Sequence, residues 1–309
     1  MKKPGKPIVI AVVGPTAVGK TKVAIELAQA FNAEIISADS RQFYQEISIG
    51  TAKPTPTELK AAKHHFINNL SIEIDYNASA FEKEALAFLN EYFEYQNIAI
   101  LCGGSGMYVD ALLKGFDNEV PTADERIRKG LNERLENEGI EPLQQQLKQL
   151  DPELYKTIDL QNAKRLLRAV EVCLIIGKPF SAIRKKKPKK RDFDTIKIGL
   201  NEDRELLYNK INQRVDKMIE KGLLEEVKSV QQYQDKNALK TVGYKELFAH
   251  LDGDKSLVEA IEKIKVNSRR YAKRQLTWFK NDNEIEWFAP DQKAQIIEYI
   301  RSRINSNGQ

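Results

Sequence analysis

The sequence predicts an α/β protein: a parallel sheet flanked by helices, with one helical insertion. Three observations predict it. Short β-branched runs alternate with segments of helical period, the first run leads into a glycine-rich turn that opens a helix, and strand-like runs vanish between residues 121 and 188. With 309 residues the chain can bury a substantial core, and 41% apolar against 30% charged residues is the balance of a folded chain.

Residues 8–13 form a continuous apolar run, the pattern of a strand buried on both faces. Behind it, Val23, Ala24, Leu27 and Phe31 recur at helical spacing. Residues 34–38 read as a second strand that ends at Asp39-Ser40. A helix is expected over 79–95, started by a capping box of Ser79 and Glu82, and a third buried strand over 98–102 stops at Gly103-Gly104-Ser105-Gly106. Helix starts at Thr122-x-x-Glu125 and Asp151-Pro152, and a strong helix over 162–176 stopped by Gly177, make 121–188 a helical insertion. A strand over 193–200 returns to the sheet. A long helix over 204–231, a basic helix over 256–280 with a Ser256/Glu259 box, and a last strand over 285–288 complete the chain. The expected domains are therefore a core of 1–120 with 189–309, and the insertion.

Composition removes several classes of function. Cys102 and Cys173 form no C-x-x-C pair, and with only His64, His65 and His250 a zinc site or disulfide framework is unsupported. Lys2 and Lys3 precede an apolar run, but Gly14-Pro15 ends it too early for a secretory signal, and no later run reaches bilayer length. A cytoplasmic monomer with no membrane association is expected.

Gly14-Pro15-Thr16-Ala17-Val18-Gly19-Lys20-Thr21 is a complete G-x-x-x-x-G-K-T motif between a buried strand and a helix. Its backbone N–H groups surround phosphate oxygens at the positive end of the helix dipole; Lys20 adds a charge and Thr21 a hydroxyl for Mg²⁺. This is a P-loop, so the core is expected to be P-loop NTPase-like. No buried strand ends in an acidic metal ligand and no Asn-Lys-x-Asp occurs, which disfavours a hydrolytic switch. A metabolite kinase, an enzyme with pyrophosphate as leaving group, and an RNA binder with a nucleotide switch remain. Asp39, at a strand exit, serves equally as a general base or as an Asx turn. Lys263, Lys265, Arg269, Arg270, Lys273 and Arg274 follow one another with no acidic residue between, interleaved with Tyr271 and followed by Trp278 and Phe279. With the cluster 184–191 they favour RNA as partner, whereas Trp278 and Phe279 read as core residues.

Seven words along the chain carry a resemblance. They are the P-loop at 14–21, Ser-Ala-Asp-Ser-Arg-Gln-Phe-Tyr at 37–44, Ile-Gly-Thr-Ala-Lys-Pro at 49–54, and Gly-Gly-Ser-Gly-Met-Tyr at 103–108. Lys-Arg-Leu-Leu-Arg-Ala-Val-Glu-Val at 164–172, Val-Gly-Tyr-Lys-Glu at 242–246 and Ala-Lys-Arg-Gln-Leu-Thr-Trp-Phe at 272–279 follow. In this order they resemble the tRNA isopentenyltransferase (dimethylallyltransferase) family, in its bacterial form without the zinc finger that eukaryotic relatives can add. The resemblance implies transfer of a dimethylallyl group from dimethylallyl diphosphate to N6 of adenosine 37 in tRNA, with Mg²⁺ as cofactor and the anticodon stem-loop as partner. It makes Asp39 the general base and Lys20, Thr21, Ser105 and Arg214 its catalytic companions, Ser105 standing where the family usually has threonine. It implies tRNA contacts by Asp39, Ser40, Arg41, Gln42, Ser105 and Arg128, by Lys164, Arg165, Leu166, Leu167 and Arg168, and by Lys240, Thr241, Val242, Gly243, Tyr244, Lys245, Lys273 and Arg274.

Overall fold

The computed structural model describes residues 6–115, 120–121, 123–183 and 188–307. The apolar run forms β1 (Ile8–Val13), buried along its whole length, and the P-loop delivers the chain into α1 (Lys20–Phe31). β2 (Ile35–Ser37), α2 (Pro56–Ala61), β3 (His64–His65), α3 (Ala78–Tyr92), β4 (Ile98–Gly103) and α4 (Gly106–Lys114) follow. The helical segment contributes α5 (Glu125–Glu138), α6 (Glu141–Leu150), α7 (Pro152–Tyr155), α8 (Ala163–Ile176) and α9 (Phe180–Ile183). β5 (Asp194–Leu200), α10 (Arg204–Glu220), α11 (Leu223–Ser229), α12 (Tyr244–Leu251), α13 (Leu257–Lys280), β6 (Ile285–Phe288) and α14 (Lys293–Asn307) complete the order.

The six strands make one sheet in the order β3-β2-β4-β1-β5-β6, every pairing parallel. β1 is central, with Val13 opposite Gly103 of β4 on one side and Gly199 of β5 on the other. Its residues are therefore apolar on both faces. Val23, Ala24 and Leu27 of α1, Leu207 and Ile211 of α10, and Ile296 and Ile300 of α14 are buried in the same core cluster. The carboxyl ends of β1, β2 and β4 release the P-loop, Asp39 and Ser105 along one edge, where doubly wound sheets hold ligands.

By contacts the chain divides into two compact units: one runs to Leu113 and resumes at Lys190, the other spans Lys114–Lys189. In the second, Leu143 and Leu147 of α6 and Leu166, Val170 and Cys173 of α8 form a separate apolar cluster. Buried Asp151 ties that unit's turns together, accepting from Leu154 N–H at 3.0 Å and from both the N–H and hydroxyl of Ser181 at 2.7 Å.

Several expectations are corrected. Asn77, not Ser79, caps α3, accepting from Ser79 and Ala80 N–H; Glu82 instead pairs with Arg191 at 2.8 Å. Arg191 also donates to Ala111 O, so it is a buried fastening and not part of a basic surface. Arg184, Lys185, Lys186 and Lys187 of that cluster lie outside the described residues, as does Thr122; Asp124 caps α5. The helix expected over 204–231 breaks at Gly222, whose φ of 92° is left-handed. Trp278 is 43% exposed rather than core, while Phe279 is buried.

Candidate active site

Two cavities of about 460 and 320 Å³ open at the carboxyl edge of the sheet. Thr16, Asp39, Arg214 and Tyr271 line both.

The smaller cavity is walled by Thr16, Ala17, Gly19, Lys20 and Thr21; Gly14, Pro15 and Val18 of the same turn do not line it. Gly14 has φ 145°, and a Cβ there would stand 2.5 Å from the Leu200 carbonyl oxygen, so only glycine fits. Lys20 Nζ donates to Pro15 O at 2.7 Å. Burial pulls its pKa down to about 8; the Arg214 charge adds to this, and Cys102 and Asp39 oppose it. Burial also lowers the Arg214 guanidinium, against the pull of Asp39. Lys22 adds a further cation to the lining. Gln42, expected at the RNA, lines this smaller cavity and not the larger, because its amide donates to the carbonyls of Thr51 and Ala52 at 3.3 Å.

Of the two readings of Asp39, the structure realises the Asx turn, and it does so without taking the side chain away from the cavities. One carboxylate oxygen accepts from Arg41 N–H at 3.0 Å, an Asx turn that fixes the side chain where the cavities meet. Ser105 lines neither cavity. Its hydroxyl accepts from Ser40 N–H at 3.1 Å and contacts Ser40 Oγ at 3.2 Å, so it orients the residue next to Asp39. Tyr271 is pushed up to about 12 by burial and then by the Asp39 charge, so it keeps its proton at neutral pH.

The larger cavity is lined by Ser40, Arg41, Lys240, Thr241, Val242, Gly243, Lys245 and Arg274, with Val215, Met218 and Leu223 as an apolar wall. Tyr244, expected among the RNA contacts, is fully buried with its hydroxyl on Glu226 at 2.6 Å. Leu166 and Leu167 are likewise corrected, since both are core residues of the helical unit; Lys164 and Arg165 are exposed. Arg128 and Arg168 both clamp buried Glu171, at 2.7 and 2.6 Å. Lys273 is exposed on α13 but lines neither cavity.

Gln275 is a further site residue, one to which the sequence alone assigns no role. Buried in α13, it accepts from Thr16 N–H at 2.8 Å and donates to Gly104 O at 2.9 Å, joining the P-loop to the end of β4. Its place inside the word at 272–279, as an amide within a basic helix, is the signal it leaves in the sequence.

Fold and site define a class: a P-loop transferase whose phosphate cradle shares an acid-bearing wall with a second, basic cavity. The model of the family described as IPP transferase matches residues 42–282. The chain belongs to this family and is a prenyltransferase. It is 48% identical to tRNA dimethylallyltransferase 1 of Bacteroides thetaiotaomicron, over 96% of each chain. It is 51% identical to the tRNA dimethylallyltransferase of Flavobacterium johnsoniae, over 96% of this chain and 98% of that one. Among solved structures, the tRNA isopentenylpyrophosphate transferase of Bacillus halodurans aligns with a TM-score of 0.72 at 37% identity, covering 98% of this chain and 97% of that chain. A eukaryotic dimethylallyltransferase described as acting on tRNA aligns with a TM-score of 0.77 at 27% identity, covering 94% and 75%. No helix among the described residues is long and apolar enough to cross a membrane.

Proposed function

We propose that this chain transfers the dimethylallyl group of dimethylallyl diphosphate to N6 of adenosine 37 in a tRNA anticodon loop, acting in the cytoplasm as a monomer. The observation that carries this reading is Asp39, held at the wall common to a P-loop cavity and a basic cavity. An adenine amine is a weak nucleophile, because its lone pair is delocalised into the ring. The allylic C–O bond of the donor compensates by loosening early. The new N6–C bond forms as that bond breaks, the amine proton passes to the Asp39 carboxylate, and pyrophosphate leaves into the P-loop amides, Lys20 and Arg214. Tyr271 and the Ser40–Ser105 pair hold the aspartate's surroundings in place. Because N6 is stacked in the loop, the base must be drawn out into the larger cavity, with Arg41, Lys240, Lys245 and Arg274 answering the RNA phosphates.

Mg²⁺ fits one feature of the site. Thr21 offers its hydroxyl to the smaller cavity, and no group of three or more His, Cys, Asp or Glu converges among the described residues. The ion would thus be held by Thr21 and the donor's own oxygens. When bound, it supplies charge neutralisation for the leaving pyrophosphate.

Incubation with labelled dimethylallyl diphosphate, Mg²⁺ and an unmodified anticodon stem-loop should label the RNA, and nucleoside mass should locate the group on adenosine 37. Asp39→Ala should lower kcat by about 10²–10⁴, the usual contribution of a general base, with RNA affinity retained. Brisk ATP cleavage without prenyl transfer, or a near-normal rate in Asp39→Ala, would overturn the assignment.

A further inference from the structure

Glu226 of α11 lines neither cavity, yet its carboxylate grips the loop that walls both. Oε2 accepts the backbone N–H groups of Ser48 and Ile49, each at 2.7 Å. Oε1 accepts that of Gly50 at 2.9 Å and the Tyr244 hydroxyl at 2.6 Å. Three consecutive N–H groups turned to one point make an anion nest, and the anion is a side chain of this same chain. Bonds to an ionised acceptor are the strong kind, and few other residues supply four acceptor positions at once.

What the nest holds gives it a functional consequence. Gly50, the last residue of the nest, and Thr51 after it line the larger cavity, and Ala52 and Pro54 line the smaller. Tyr244 continues directly from Lys240–Gly243, another part of the larger cavity's wall. Gly50 lies so close to the Tyr244 ring that a Cβ would approach within 2.6 Å. One carboxylate therefore fixes two wall segments that are nearly two hundred positions apart in sequence. The loop's other side-chain fastenings, among them Thr51 Oγ1 on Ile47 O at 2.8 Å, Gln42 on Thr51 O at 3.3 Å and Lys53 on Tyr44 O and the Asn68 side chain, stay within residues 42–68. They do not reach Tyr244.

We propose that Glu226 is a positioning residue for prenyl transfer: it sets the spacing of residues 48–54 from 240–244, and so the shape of the cavity that receives the RNA nucleotide. This rests on the function proposed above. Glu226→Gln keeps the shape of the side chain but turns one acceptor into a donor facing donors. Hydrogen exchange on the substrate-free chain should then show protection of the Ser48, Ile49 and Gly50 amides falling about tenfold or more, with β1 amides unchanged. KM for the stem-loop should rise about five- to tenfold while kcat stays within about twofold, the signature of lost binding geometry rather than lost chemistry. Tyr244→Phe removes only the hydroxyl bond, so it should leave the loop amides protected and raise KM less. Unchanged protection in Glu226→Gln, or a loss in kcat as large as that in KM, would overturn the proposal. If the wild-type chain transfers no prenyl group, the proposed function fails instead, and the exchange result separates that failure from one of the anchor.

Discussion

Lys20 shows how far one residue's environment controls this chemistry. Its ammonium is taken from an ordinary 10.5 to about 8, chiefly because burial disfavours the charge. The sign of the consequence follows from linkage. The folded state binds this proton less tightly than the unfolded chain, so the charged lysine costs stability fully below pH 8. That cost is relieved as the pH rises from about 8 towards 10.5. Under the function proposed above, donor binding runs the other way, because a diphosphate needs the ammonium. KM for dimethylallyl diphosphate is therefore expected to be flat below pH 8 and to climb by up to about tenfold per unit above it. Lys53 is also lowered to about 8 by burial, but it lines neither cavity and its Nζ is turned onto Tyr44 O and the Asn68 side chain. Lys20→Ala separates the two: the bend at pH 8 should vanish with it, and a bend that survives would assign the titration elsewhere.

At the scale of elements, period and punctuation made most of the sheet legible. β1 announced itself as six consecutive buried apolar residues, and α13 by its Ser256/Glu259 box, which the structure realises in full. What escaped was set by tertiary contact. α14 carries a weak apolar stripe, and only the sheet beneath Ile296 and Ile300 makes a helix there worthwhile. The two-residue strand β3 is too short for any alternation to register. Asp39 was readable as a candidate, but Gln275 and Glu226 were not, because an amide or carboxylate on a polar helix announces nothing until its distant partner is known. The break between α10 and α11 was legible and misread. Gly222 sits at φ 92° with no atom within 4 Å of where a Cβ would go, so backbone conformation alone requires glycine. Gly222→Ala should therefore cost about 1–2 kcal/mol, the penalty of a left-handed L-residue, read as a lower denaturant midpoint with the m-value unchanged. A neutral substitution would mean the two helices join without that turn.

For the molecule as a whole, the formal net charge of +5 says little, and the way its cations are spent says more. Of the six basic residues between Lys263 and Arg274 on α13, Lys265 is paired with Asp216 at 2.9 Å and Glu262 at 3.0 Å, and Arg269 donates to Asn212 at 2.6 Å. Both lie close to Tyr208 or to acids of neighbouring helices and are consumed by the fold. Lys263, Arg270, Lys273 and Arg274 are exposed, and Arg274 reaches the larger cavity while lying over the Tyr271 ring at 5.8 Å. Binding of a polyanion releases counterions in proportion to the cations that meet phosphate, so the salt dependence of affinity counts them. Replacing Lys273 and Arg274 by Gln should reduce the slope of log Kd against log salt by about 0.7–0.9 per charge, for a total of about 1.4–1.8. Replacing Lys265 and Arg269 in the same way removes an equal formal charge, yet should leave the slope unchanged and lower the melting temperature instead. Equal slopes lost in both double variants would mean that RNA senses only net charge, and the division between structural and RNA-facing cations on α13 would have to be abandoned.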